Sequence, residues 1–124
     1  MKKHLLLIFA MLLPMVVKAD AVEIDGIYYN LISKAKLAEV TKRANYYSGD
    51  IVIPESVTYE GENYNVTSIG HGAFAYCTSL TSITIPNSMT SIGDFVFFGC
   101  KSLTSVSIPN SVISIGYDAF YGCI

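Results

Sequence analysis

The sequence predicts a β-rich, α/β-class solenoid of 23-residue coils with short parallel strands and helical or 3₁₀ turns, preceded by a β-hairpin N-terminal cap. Three observations predict it. Residues 66–88 and 89–111 align without a gap and agree at 14 of 23 positions. A third copy opens at Val112 and runs for 13 residues, to Ile124. Turn residues recur at one fixed place, Pro86-Asn87-Ser88 and Pro109-Asn110-Ser111.

The chain opens with a segment apart from this pattern. Lys2, Lys3 and His4 precede 13 uncharged residues, 5–17, and Ala19 and Ala21 form a small-x-small site. This is read as a secretory signal peptide, residues 1–21, cleaved after Ala21 with Ala19 as second choice. Thirteen apolar residues fall short of the roughly 20 that cross a bilayer, so no transmembrane segment is expected after cleavage. Cleavage leaves five Lys+Arg against nine Asp+Glu, a mildly acidic chain. Such a balance, without a basic face, argues against a nucleic-acid partner.

Residues 22–65 do not repeat, apart from one echo. Asp25-Gly26 between two apolar runs is a strong hairpin signal. Ala38 to Thr41 reads as a further strand. Ile51-Val52-Ile53-Pro54 echoes Ile83-Thr84-Ile85-Pro86 at an offset of 32, which is 23 plus nine. The nine extra residues read as a second hairpin, its turn at residues 60–63, grafted into that coil. The segment is assigned as a cap, since an uncovered coil exposes apolar ladders and free strand edges.

Within the repeats, Leu80-x-x-Ile83-x-Ile85 and Leu103-x-x-Val106-x-Ile108 carry the L-x-x-L-x-L pattern of a leucine-rich-repeat coil. Each should be a short strand ended by its proline, which has no amide donor. A second extended piece is expected at residues 90–92 and 113–115. Gly70, Gly93 and Gly116 are expected to turn the chain with positive φ. One helical or 3₁₀ turn should follow from Ala73 to Cys77. Coil boundaries fall at 66–88, 89–111 and 112–124, the last incomplete. About 2.5 coils is short where three are usual, so the chain reads as a piece of a longer array or as a unit whose open edge pairs with a partner.

The motif T-S-I-G-x-x-A-F-x-x-C-x-S-L-T-S-I-x-I-P-N-S resembles the BspA-like leucine-rich repeats of secreted and surface proteins of Bacteroides-type bacteria. Val96 departs from it, standing where that family usually has Ala. The resemblance implies a secreted or cell-surface protein-binding and adhesion module without catalysis. Its implied partners are extracellular or host proteins, of the matrix or plasma, or other bacterial surfaces. The alternative is a structural capping fragment or a unit that self-associates through its C-terminal edge.

The residues themselves offer little chemistry. Cys77, Cys100 and Cys123 recur at one coil position, close enough for disulfides, yet read more simply as small buried hydrophobes with free thiols. His71 and Cys77 are too few for a structural zinc site. His71 also holds a variable position, filled by Asp94 and Tyr117 in the other coils. No G-x-S-x-G or H-E-x-x-H occurs, so no catalytic residues, metal ligands or cofactor are assigned. Two surfaces remain. Thr81, Thr84, Thr104 and Ser107 should point outward from the strands as a flat, uncharged face. Phe95, Phe98, Tyr117 and Tyr121, joined by Tyr76, sit at non-repeating turn positions, where the rings either stand exposed for partner binding or pack against one another along the solenoid's side.

Overall fold

The computed structural model describes residues 20–123, so the expected signal peptide lies outside them save for its last two residues. The chain first folds back on itself. β1 (Val22–Ile24) and β2 (Ile27–Ile32) form an antiparallel hairpin about Asp25-Gly26, whose φ angles are 50° and 89°. Both angles are left-handed, as a two-residue hairpin turn of this type requires. β2 pairs antiparallel with β3 (Leu37–Thr41).

From β3 onward the pairing becomes parallel. β3 lies beside β6 (Glu62–Ile69), β6 beside β8 (Ser91–Ile92), and β8 beside β9 (Ser114–Ile115). Val40, Ile69, Ile92 and Ile115 therefore stand in one column, each one coil from the next. A second parallel pair joins β4 (Gly49–Val52) to β7 (Leu80–Thr84), with Ile51 opposite Ile83 as the echo implies. The parallel ladder thus starts inside the non-repeating segment. β5 (Ser56–Tyr59) folds against β6 as the second hairpin. Its turn is only Glu60-Gly61, at φ 49° and 80°.

Three expectations change. The strand expected at residues 103–108 shrinks to a single parallel bridge between Thr84 and Ser107. Ser107 meets a strand on one side only, that of β7. No helix forms among the described residues. Isolated bonds close tight turns, from Ala73 N to Gly70 O and from Cys77 N to Phe74 O, each 3.1 Å. The amides of Gly72, Phe74 and Tyr76 instead donate to the carbonyls of Asp94, Val96 and Phe98 one coil on, at 2.9, 3.0 and 2.7 Å. Those of Phe95, Phe97 and Gly99 do the same to Tyr117, Ala119 and Tyr121. A donor committed to the neighbouring coil cannot also build a helix.

The third correction concerns glycine. Gly70, Gly93 and Gly116 are not among the residues with positive φ. The left-handed residues lie at two later positions, Gly72, Phe95 and Asp118, then Tyr76, Gly99 and Gly122. Gly93 is needed for space: a Cβ there would stand 3.0 Å from both His71 N and Ile69 O. A Cβ on Gly116 would press on Gly93 C at 2.5 Å and on the Asp94 backbone and carboxylate. The coils approach backbone to backbone at this position, so a side chain has no room.

The core is a set of columns. The rings of Phe74 and Phe97 stack at 5.5 Å, and those of Phe97 and Phe120 at 5.3 Å. Tyr47, from the non-repeating segment, covers Phe74 at 4.6 Å. The Tyr47 hydroxyl donates to Thr41 O at 2.7 Å and accepts the Tyr28 amide at 3.0 Å. It thereby ties the loop after β3 to the hairpin before it. All three cysteines are free thiols, with Cys77 and Cys100 buried and Cys123 half-buried. Cys100 Sγ donates to Phe74 O and Cys123 Sγ to Phe97 O, both at 3.0 Å. The thiol therefore links successive coils as well as filling space.

Candidate functional site

The backbone geometry of the turns decides which rings face solvent. Each turn carries its core residue, Phe74 or Phe97, inward on the stacked column. The residue just before it, Ala73 or Val96, is buried too, and the outer rings stand at other offsets, as Phe95 and Phe98 do about Phe97. Phe95 lies 5.6 Å from His71, 5.4 Å from Phe98 and 5.9 Å from Tyr117, centroid to centroid. Phe98 lies 5.6 Å from Tyr76 and 5.3 Å from Tyr121. These six rings form one continuous strip across three coils. Tyr117 and Tyr121 are 66% and 65% exposed, Tyr76 is 59% exposed, and Phe95 and Phe98 are half-buried beneath them. The sequence-predicted aromatic residues, Tyr76 among them, are thus brought together, and His71 extends them.

Two of these rings are held at a conformational cost. Tyr76 has φ 62° and Phe95 φ 55°. Left-handed backbone is uncommon for non-glycine residues and unfavourable for bulky ones. The other coils put glycine at the Tyr76 position, Gly99 and Gly122, and Gly72 or Asp118 at that of Phe95.

The strand face differs from its expectation. Thr81, Thr84, Thr104 and Ser107 are all exposed. The face is nevertheless charged, because β4 brings Asp50 into it. Thr81 Oγ1 and Ser82 Oγ donate to Asp50 Oδ1 at 3.0 and 2.8 Å. The bonds from Ser82 and Thr81 hold the Asp50 carboxyl below the usual carboxylate range. Thr81 is therefore engaged with a neighbour, and Val52 adds an exposed apolar group beside Thr84.

The thiols are poor nucleophiles. Burial pushes Cys77 and Cys123 up from the ordinary thiol range and Cys100 up to about 12. Among the described residues, no group of three or more His, Cys, Asp or Glu is placed to hold a metal ion. No helix there is long and apolar enough to cross a membrane.

A groove of about 260 Å³ lies between residues 42–46 and the first repeat turn, with Lys42, Arg43, Tyr46 and Tyr76 on its walls. It continues past Tyr76 toward His71, Phe95 and Phe98. Lys42, Arg43 and Tyr46 carry no signal in the sequence, since their segment lies outside the repeat register. Asp50 did carry one: the match of Ile51 to Ile83 sets it beside the outward strand positions.

The profile of a family described as "BspA type Leucine rich repeat region (6 copies)" matches residues 67–124. No curated protein matches the chain. Among solved structures, a leucine-rich cell surface protein from Faecalibacterium prausnitzii is similar at 32% identity and a TM-score of 0.70, over 84% of this chain and 28% of that one. A leucine-rich repeat protein from Bacteroides ovatus gives 32% identity and a TM-score of 0.67, over 82% and 33%. One from Bacteroides capillosus gives 32% and 0.68, over 78% and 71%. The chain spans about a third or less of the length of the first two.

Proposed function

The chain belongs to the BspA-type leucine-rich-repeat family, and from that premise we propose a secreted or cell-surface module that binds an extracellular protein through its aromatic strip, without catalysis. One observation carries the reading: six contiguous rings, His71, Tyr76, Phe95, Phe98, Tyr117 and Tyr121, line one side of the stack. Aromatic side chains supply large contact area at small entropic cost and dominate interface hot spots. Rings kept at Tyr76 and Phe95 despite left-handed backbone fit selection for the surface rather than for the coil. An extracytoplasmic location accords with the expected signal peptide and with the similar cell surface protein of F. prausnitzii. In this reading residues 22–65 cap the solenoid, the β1–β2 hairpin covering the outer edge of β3.

The test is capture of matrix and plasma proteins from an immobilised array. Phe95→Ala with Phe98→Ala should abolish capture by the chain while the far-ultraviolet spectrum and unfolding cooperativity are kept. Capture that survives this pair but is lost in Thr84→Lys with Ser107→Lys would move the site to the strand face. A second reading, self-association through β9, rests on Ile113, Ile115 and Phe120, all exposed, with Ile113 at 85%. Sedimentation that depends on concentration, and loses that dependence in Ile113→Lys, would favour it.

A further inference from the structure

We propose that the groove between residues 42–46 and the first repeat turn is a binding site for an acidic saccharide, adjoining the proposed protein-binding strip and sharing Tyr76 with it. The chain is acidic overall, yet this groove is not. Of the five Lys and Arg among the described residues, Lys42 and Arg43 both line it, and its walls carry no carboxylate. Among those residues the one ion pair is Lys36–Glu62, so neither Lys42 nor Arg43 is neutralised by a partner. Lys42 lies directly over the turn: its Nζ is 3.9 Å from where a Cβ on Gly72 would be. Glycine at that position, filled by Phe95 and Asp118 in the later coils, leaves the ammonium its place.

Two exposed rings flank these cations. Tyr46 and Tyr76 both line the groove, and both have left-handed backbone, at φ 55° and 62°. A second hollow of about 360 Å³ runs on between the same two rings toward Ser48, Thr78 and Ser79. The trough is therefore open, flat-walled by phenol rings, edged by hydroxyls and positive at one end. A pyranose presents C–H faces that stack on such rings and hydroxyls that bond to serine and threonine. Its carboxylate or sulfate suits the guanidinium fork of Arg43 and the point charge of Lys42. An acidic peptide fits less well. The trough is walled by turns and offers no free strand edge on which a peptide could lie as an added strand.

The experiment is calorimetric titration of the chain with a heparin-derived hexasaccharide at low salt, beside hexagalacturonate, neutral maltohexaose and hexaglutamate. Glycine is the unstrained residue at left-handed positions, so Tyr76→Gly removes a ring and keeps the fold. The acidic saccharide should bind and maltohexaose should not. Lys42→Gln with Arg43→Gln should weaken binding about tenfold or more. Tyr76→Gly should weaken it about threefold or more. Lys34→Gln, in the exposed turn between β2 and β3 at the opposite end of β3 from Lys42, should leave it unchanged. Binding of hexagalacturonate as well would assign the anion to carboxylate, and binding of the heparin fragment alone to sulfate; either supports the site. Failure of both to bind overturns it. So does equal loss in Lys34→Gln, which would make the attraction diffuse. So does hexaglutamate binding as tightly as the saccharide with no change in Tyr76→Gly, which would make the groove a peptide site.

Discussion

Replacing Gly93 and Gly70 by alanine should have very different effects although the two hold one repeat position. Neither has positive φ, so the backbone imposes no penalty at either. At Gly93 the new methyl would meet His71 N and Ile69 O at 3.0 Å and Gly70 C at 3.1 Å. Ordinary contact lies near 3.5–4.0 Å, so the coil must retreat by roughly 0.5–1 Å. That retreat strains the 2.9 Å bond from Gly93 N to Ile69 O. Overpacking of this kind costs about 1–3 kcal/mol. At Gly70 the methyl would meet only the Glu39 carboxylate, at 3.0–3.2 Å. Glu39 can swing aside, giving up a 3.2 Å bond from Asn30 Nδ2 that is partly exposed. The alanine recovers about 0.4–1 kcal/mol from the unfolded chain, so Gly70→Ala should come out within about 0.5 kcal/mol of neutral. Urea unfolding of both variants measures the gap, expected at about 1 kcal/mol or more and so about 4–8 °C in Tm. Equal destabilisation of the two variants would refute the contact argument.

Other perturbations follow from the same geometry. Tyr47→Phe strips partners from the Tyr28 amide and the Thr41 carbonyl, and should cost about 1–3 kcal/mol in urea unfolding. At Tyr76, glycine should be more stable than alanine by about 1 kcal/mol, the reverse of the usual order, because alanine keeps the left-handed strain. Burial pushes Tyr29, Tyr47 and Cys100 each up to about 12. Acids whose folded pKa is raised give stability that is full below the unfolded value and lost as pH climbs through the folded one. Stability should therefore be level to about pH 8.5 and then fall, by up to about 1.4 kcal/mol per pH unit for each group, until about pH 12. Tyr47→Phe should flatten the fall above pH 10. A thiol reagent at pH 8 should label half-buried Cys123 first, and Cys77 and Cys100 only on unfolding, as mass mapping of the labelled peptides would show.

The legible parts of this fold were those that depend on register. Ile69, Ile92 and Ile115 share a column because they share a repeat position, and Ile51 finds Ile83 for the same reason. Glycine was misread because it serves two needs, left-handed backbone and absence of a Cβ. The sequence of Gly70, Gly93 and Gly116 does not separate them; only the distance between coils does. The turns resisted too, since amides that bond 22 residues ahead leave no local pattern of helix or strand. At the candidate site, Phe95, Phe98, Tyr117 and Tyr121 stood out by failing to repeat. Lys42, Arg43 and Tyr46 could not, because their place beside Tyr76 is set by how a non-repeating loop seats Tyr47 on Phe74.

The amide rungs that tie the Gly72–Phe74–Tyr76 turn to Asp94–Val96–Phe98 run along the stack, as do those between the parallel strands. Tension applied to the C-terminal end would therefore load one coil's rungs at a time and peel coils in order. Each detached coil releases 23 residues, an extension of about 80 Å when drawn out. The same stacking that makes the core a set of columns makes the chain a serial shock absorber. It would lengthen by whole coils while those nearer the hairpin stay folded.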